Sequence, residues 1–224
     1  SKIYKTGEVN VSIDKNGFAD YEILNPVAWD DINHNVKIER LVKNCSMFVF
    51  GSLICRNVTS RETLKGLLKI APFKLFDVNL RSPYYNFNLI EELMLSSDFI
   101  KFNLEEIIEI SSIYNRKETS LESMIKIISK KTKTTNICVT MGEKGACYYT
   151  NNLFYFQDGF KITVSDTIGA GDSFLATLVE GILNNAKPEE VLKKACAVAA
   201  LVASKKGATS KVSISEISDL IESK

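Results

Sequence analysis

The run Asp166-Thr167-Ile168-Gly169-Ala170-Gly171-Asp172 sets two aspartates around a turn of small residues, immediately ahead of an apolar-periodic segment. From Ser173 to Leu183 that segment carries Phe174, Leu175, Leu178, Val179, Ile182 and Leu183 at the spacing of one helix face. The small residues therefore belong at a helix N-terminus, where unpaired N–H groups and the positive end of the helix dipole suit an anion. Asp172 sits inside that positive field. A carboxylate there can accept a proton from a hydroxyl while the amides of Gly169, Ala170 and Gly171 stabilise charge on an incoming phosphoryl group. The same residues also fit a plain loop entering a helix, with Asp172 as an electrostatic cap, so spacing alone leaves both readings standing.

Such a site needs elements to hold it. Residues Glu8 to Asp14 alternate apolar and polar, turn at Lys15-Asn16-Gly17 and resume at Tyr21 and Ile23, the pattern of a β-hairpin with one covered face. Met47 to Phe50 is a continuous apolar run ending in Gly51, which predicts a strand buried on both faces. Phe73 to Val78, Asp98 to Phe102 and Ile137 to Met141 share that character. Between them lie helical patterns at Thr59 to Ile70, Asn86 to Leu95, Leu104 to Ser111 and Ser120 to Lys130. Helices over Ser173 to Asn185, Glu189 to Ser204 and Ser213 to Glu222 close the chain, with Pro188 suited to a first turn. Strands alternating with helices predict an α/β fold with a mostly parallel sheet.

Ligands of open parallel sheets sit beyond the carboxyl ends of the strands. Each strand-like run here ends in residues able to do chemistry: Gly51-Ser52-Leu53, then Asp77 to Arg81, then Lys101-Phe102-Asn103, then Thr140 to Gly145. In the last, glycines let backbone approach a ligand, and Thr140 or Lys144 can bond phosphate oxygens; a tight hairpin needing Gly142 and Gly145 for positive φ explains the same residues. Asn103 and Glu106, an amide and a carboxylate three residues apart, have the spacing of a capping box. Arg56 or Arg81 could fork onto the oxygens of an anion, or could be surface and salt-bridge arginines.

Composition narrows the field. The 224 residues suffice for one sizeable domain and at most two, and 45% hydrophobic with 25% charged residues is ordinary for a soluble globular protein. With 28 basic and 27 acidic side chains the net charge is +1, which provides no field for nucleic acid or an anionic membrane. No apolar run reaches the roughly 18 residues that span a bilayer, and no signal peptide is visible. The five cysteines, an odd number without a close pair, argue against disulfides and a zinc knot and for a reducing, cytoplasmic compartment. The single histidine, His34, lies in a polar stretch, which makes a Ser-His-Asp hydrolase improbable.

The Asp166–Asp172 run resembles the Asp-Thr-x-Gly-Ala-Gly-Asp signature of the ribokinase-like (PfkB) carbohydrate kinases, and other segments resemble that family in the same order. Thr140 to Ala146 is similar to its Thr-Leu-Gly-x-x-Gly-Ala segment, which implies nucleotide contacts at Thr140, Gly142, Lys144 and Gly145. Asn103 to Glu106 resembles its Asn-x-x-Glu pattern, implying Mg2+ placement through water. Asp77-Val78-Asn79-Leu80-Arg81, Phe50-Gly51-Ser52-Leu53 followed by Arg56, and Val27-Ala28-Trp29-Asp30 look like the fructokinase branch, implying substrate or phosphate contacts at Arg56, Asp77, Asn79 and Arg81. Ala199 to Ala208 is similar to the helix and loop that close over adenine, with Cys196 and Gly207 on the nucleotide side. Asp166, the Ile168 carbonyl and the Lys206-Gly207-Ala208 loop resemble a K+ site of some members.

The resemblance implies a ribokinase-like fold with helices on both sheet faces and a β-hairpin lid. Residues 1–34 would be a partial lid and residues 35–224 the kinase domain. Implied partners are ATP, Mg2+, K+ in some members and a small-molecule sugar, with the hairpin as the surface of a homodimer. The family's strands and Gly-Gly-rich segment ahead of the lid have no counterpart before Glu8, so an incomplete N-terminal portion is expected. The implied activity is transfer of the ATP γ-phosphate to D-fructose, giving fructose 6-phosphate. A kinase for another sugar or sugar acid, such as 2-keto-3-deoxygluconate, and a non-catalytic nucleotide-binding module are the alternatives.

Overall fold

A computed structural model of the chain describes residues 3–13, 19–115, 117 and 119–223, with the side chains of residues 11–13 and 19–21 left aside. The chain forms two compact units, Ser1–Ser96 and Ser97–Lys224.

In the first unit β1 (Val9–Ile13) and β2 (Ala19–Ile23) pair antiparallel, with Val9 opposite Ile23. The expected Lys15-Asn16-Gly17 turn lies outside the described residues. A short 3-10 turn over Ala28–Asp30 leads to α1 (Val36–Lys43), β3 (Phe48–Gly51), a second such turn over Leu53–Arg56, α2 (Val58–Leu68), β4 (Lys74–Asp77) and α3 (Phe87–Leu95). Strands β3 and β4 run parallel across the α2 crossover, with Phe50 opposite Phe76 and Gly51 opposite Asp77. Asparagine starts all three helices: the side chains of Asn35, Asn57 and Asn86 accept from the amides of Ile38, Thr59 and Leu89. Helix α1 is absent from the sequence reading; Ile38 and Val42, one turn apart behind the Asn35 cap, join Leu67 and Ala71 in a small core. The run around β3 is buried on one face only. Phe50 stacks on Phe76 with ring centroids 5.1 Å apart, whereas Val49, pointing the other way, stays 42% exposed.

The second unit contains β5 (Phe99–Asn103), α4 (Leu104–Tyr114), α5 (Leu121–Thr132), β6 (Ile137–Thr140), β7 (Ala146–Thr150), β8 (Leu153–Gln157), α6 (Ala170–Leu183), α7 (Pro188–Ala203) and α8 (Ile214–Glu222). Strands β5 and β6 are parallel and place Asn103 opposite Thr140; β7 and β8 then add antiparallel. Beyond the parallel β5–β6 pair an antiparallel meander follows, because two tight turns stand where helical crossovers would be: Gly142–Lys144, and Asn151-Asn152 with both residues at positive φ. Phe99, Ile100, Phe102, Ile137, Cys138 and Val139 of the parallel pair are fully buried, as parallel core strands require, and so are Ala146 and Cys147 of β7. Helices α6 and α7 cross closely at Gly181, where an added Cβ would come within 2.6 Å of Val191. All five cysteines are free thiols. No described helix is long and apolar enough to cross a membrane.

Candidate active site

The start of α6 is built by glycine and by backbone geometry. Gly169 has φ +82°, and a Cβ there would fall 2.3 Å from the Ala208 carbonyl oxygen, so conformation and close approach both require glycine. The Ala170 N–H donates to the Thr167 carbonyl (3.2 Å), and the Ser173 N–H donates to the Gly169 carbonyl (2.9 Å), opening the helical ladder. The amides of Gly169, Gly171 and Asp172 meet no acceptor among the described residues. Of the three amides expected to hold an anion, Ala170 is therefore engaged in a turn, and the Asp172 N–H joins Gly169 and Gly171 instead. The Asp172 side chain is exposed rather than packed inward.

Gly171 and Ala170 line a cavity of about 810 Å3. The expected residues Thr140, Gly142, Lys144 and Gly145 form another part of its wall, and Cys196 of α7 a third. Ala199, Ala200 and Ala203 lie on the Cys196 side, their small side chains leaving the space open. The sequence reading missed the segment after β8, where Asp158, Gly159 and Phe160 also line the cavity. Its signal was Gly159: a Cβ there would sit 2.1 Å from the Glu143 carbonyl, and one on Gly145 (φ +91°) 1.9 Å from that of Gln157. These two glycines let the turn after β6 and the strand end of β8 touch backbone to backbone. Gly142, at φ +58° with open space around it, is needed for conformation alone. The hairpin explanation and the cavity-wall explanation of this segment therefore hold together.

Asn103 and Glu106 form a reciprocal capping box at the start of α4. The Asn103 N–H donates to Glu106 Oε2 and the Glu106 N–H to Asn103 Oδ1, each at 2.8 Å. The β5–β6 register sets this box beside Thr140, whose Oγ1 donates to the Phe102 carbonyl at 3.3 Å. Among the described residues no three His, Cys, Asp or Glu side chains cluster as a metal cage. One carboxylate and one amide suit an ion that keeps its waters and arrives with phosphates.

Asp166 joins the two ends of the site. Its Oδ1 accepts from the Ile168 N–H (3.0 Å) and its Oδ2 from the Gly207 N–H (3.1 Å), while its own N–H donates to the Ala203 carbonyl (3.1 Å). Asp166 and Gly207 thus meet, as the resemblance implies.

In the first unit Asp77, Asn79 and Arg81 follow one another off the end of β4. Asp77 is buried, Asn79 has φ +40°, and the exposed Arg81 donates to the Leu80 carbonyl (2.9 Å). The Ser52 hydroxyl donates to the Val78 carbonyl (2.8 Å), locking the end of β3 to this segment. Arg56 takes the salt-bridge alternative rather than the substrate or phosphate contact that the resemblance implies. Its Nε and Nη2 reach the two Asp30 oxygens at 2.8 and 2.7 Å, and Nη2 also reaches the Leu24 carbonyl at 2.6 Å. Its side chain is 1% exposed, so it presents no donor to a phosphoryl or sugar oxygen. Burial pushes the Asp30 carboxyl up, but the hydrogen bonds from Arg56 and the Val27 N–H, with the Arg56 charge, together hold it below its ordinary value.

Comparison with known proteins gives this arrangement a family. Fructokinase-2 of Solanum lycopersicum is 28% identical over 185 residues, covering 75% of this chain and 55% of that protein. A sugar kinase of Pyrococcus horikoshii is 31% identical over 199 residues, covering 84% and 56%. The crystal structure of the Pyrococcus protein in complex with ATP superposes with a TM-score of 0.74 at 26% identity, over 93% of this chain and 68% of that one. A fructokinase from Xylella fastidiosa with bound ATP reaches a TM-score of 0.84 at 19% identity, over 100% and 75%, a likeness that shows the ribokinase-type fold. The chain spans about half the length of the curated relatives it matches. Residues 19–215 match the description "pfkB family carbohydrate kinase", and the chain belongs to that family of carbohydrate kinases.

Proposed function

We propose that the protein is an ATP-dependent sugar kinase that transfers the γ-phosphoryl group to the primary hydroxyl of D-fructose, yielding fructose 6-phosphate. One observation carries this reading: an exposed aspartate and unengaged amides share the first turn of α6, whose Gly171 borders a cavity of about 810 Å3. That volume lies within the range of roughly 300–1,000 Å3 typical of small-molecule sites. Fructose is favoured by the fructokinase-like segments around Gly51 and Asp77, and by the fructokinases among the relatives.

Asp172 accepts the proton of the attacking hydroxyl, and the amides of Gly169, Gly171 and Asp172 hold the phosphoryl oxygens as charge spreads over them. Lys144 donates to the nucleotide phosphates, Thr140 lines the same wall with its hydroxyl turned to the Phe102 carbonyl, and the small residues of α7 with Cys196 accept the base. Glu106 and Asn103 would orient the waters of Mg2+, which neutralises phosphate charge when bound. The Asp166–Gly207 contact keeps the loop after α7 against α6, and with the Ile168 carbonyl would hold K+. Residues 1–34, with the β1–β2 hairpin, cover the sugar and exclude water, which would otherwise compete as acceptor.

The test is a coupled ADP-release assay over a sugar panel that includes fructose and 2-keto-3-deoxygluconate. Fructose should give the highest kcat/KM, and Asp172→Asn should lower kcat by at least about 10²-fold. Turnover retained in that variant removes Asp172 from the chemistry. ATP binding without sugar-stimulated ADP release makes the protein a nucleotide-binding module instead.

A further inference from the structure

The Arg56–Asp30 pair is 1% and 0% exposed, and a buried ion pair is rarely a stabilising choice over two apolar side chains of similar volume. Its geometry shows what apolar side chains could not do. Arg56 stands at the end of the turn that follows β3, and its guanidinium fork binds Asp30 while its Nη2 holds the carbonyl of Leu24, one residue past β2. Asp30 Oδ2 accepts in addition from the Val27 N–H at 2.9 Å. Trp29, the single tryptophan, lies under the guanidinium at 3.9 Å from its ring centroid, and Tyr84 is 5.1 Å away. Both strands of the hairpin end on this cluster. The Ala28 N–H donates to the Lys5 carbonyl (2.7 Å) and the Leu24 N–H to the Glu8 carbonyl (3.1 Å). A Cβ on Gly7 would come within 2.6 Å of the Trp29 indole nitrogen. Trp29 is itself tied down, its carbonyl accepting from the Ser60 hydroxyl at 2.8 Å.

We propose that Arg56 is a positioning residue for the sugar reaction: with Asp30 it clamps the foot of the β1–β2 hairpin, holding in place the segment proposed above as the lid. The proposal rests on the kinase reading above. A guanidinium is required because only its planar fork satisfies a carboxylate and a chain carbonyl at once; a lysine ammonium is a point charge without that fixed geometry.

The double substitution Asp30→Asn with Arg56→Met tests it, since it removes both charges together and leaves Asn Oδ1 to accept from Val27. Arg56→Lys is the conservative companion. In both, amide hydrogen exchange over residues 9–13 and 19–24 should accelerate at least about tenfold, with α6 and α7 unchanged. KM for D-fructose should rise, and ATP hydrolysis relative to fructose phosphorylation should increase at least about tenfold, with KM for ATP unaltered. Trp29 emission reports independently on the same cluster. A merely structural role would instead lower the melting temperature and leave the ratio of hydrolysis to transfer unchanged, which overturns the proposal. Unchanged exchange in the hairpin overturns it equally. If the wild-type protein phosphorylates no sugar, the kinase reading itself falls; an active wild type with unaltered variants sinks only the role of Arg56.

Discussion

Replacing Gly171 with alanine should make the protein more stable and less active at once. Gly171 lies in the first turn of α6 without a positive φ, and a Cβ built on it meets no heavy atom within 4 Å. Alanine is favoured over glycine by roughly 0.5–1 kcal/mol inside a helix, so a first-turn position should gain about half a kcal/mol, or ~1–2 °C in a protein of this size. Nothing in the fold opposes that gain. Gly171 also borders the cavity, however, and in the proposed reaction the added methyl group would crowd the phosphoryl group held at the Gly171 amide. Displacing a reacting group by about 1 Å costs on the order of 10²-fold in rate, which sets the expected loss in kcat/KM for ATP. Thermal denaturation and the coupled ADP-release assay, run on one preparation, read both effects. A variant that melts higher and turns over normally would refute the placement of the phosphoryl group at Gly171.

Gly169→Ala should behave in the opposite way in stability, because φ +82° and an Ala208 oxygen 2.3 Å from the new Cβ add strain to a clash. A loss of at least about 2 kcal/mol in denaturant unfolding is expected, and a neutral result would show that this turn is not as drawn. Burial pushes the Cys147 thiol up to about 12 and the Cys55 thiol up to about 11. At pH 8 both are thiols rather than nucleophilic thiolates, so iodoacetamide should label the partly exposed Cys45 first and spare these two until the protein unfolds. Mass mapping of native protein showing Cys147 labelled as fast as Cys45 would contradict that burial.

Elements whose signal is local were legible in the sequence. The apolar runs before Gly51, Asp77, Asn103 and Thr140 became β3 to β6, and the glycines after Ile168 became the start of α6. The capping box at Asn103 was readable because both partners lie within one turn. What escaped depended on partners distant in the chain or on irregular backbone. Arg56 meets Asp30 across 26 residues, and no periodicity announces which arginine is buried. The cavity wall at Asp158 to Phe160 has no helix or strand period, and only the close approach of Gly159 to Glu143 marks it. The engagement of the Ala170 amide with Thr167 is a property of the turn, invisible in the residue types.

The capping box also shows that a structural and a chemical explanation of the same residues can be separated. Glu106 is 5% exposed, and one of its oxygens serves the Asn103 N–H. Glutamine also fits the third position of a capping box, its side-chain oxygen accepting the same bond. Glu106→Gln therefore keeps an oxygen to accept the cap bond and removes the charge, whose interaction with the helix N-terminus is worth about 0.3–1 kcal/mol. The α4 helix should keep its helical content. If the carboxylate orients water on Mg2+, the concentration of Mg2+ needed for half-maximal sugar phosphorylation should rise about 10- to 100-fold, as when outer-shell partners are lost elsewhere. Titrating Mg2+ at fixed ATP separates the two roles, because a residue that only caps a helix has no influence on the metal requirement. An unchanged Mg2+ profile in a variant of near-normal stability would leave Asn103 and Glu106 as a helix cap and send the search for the metal's protein contact to other residues of the cavity.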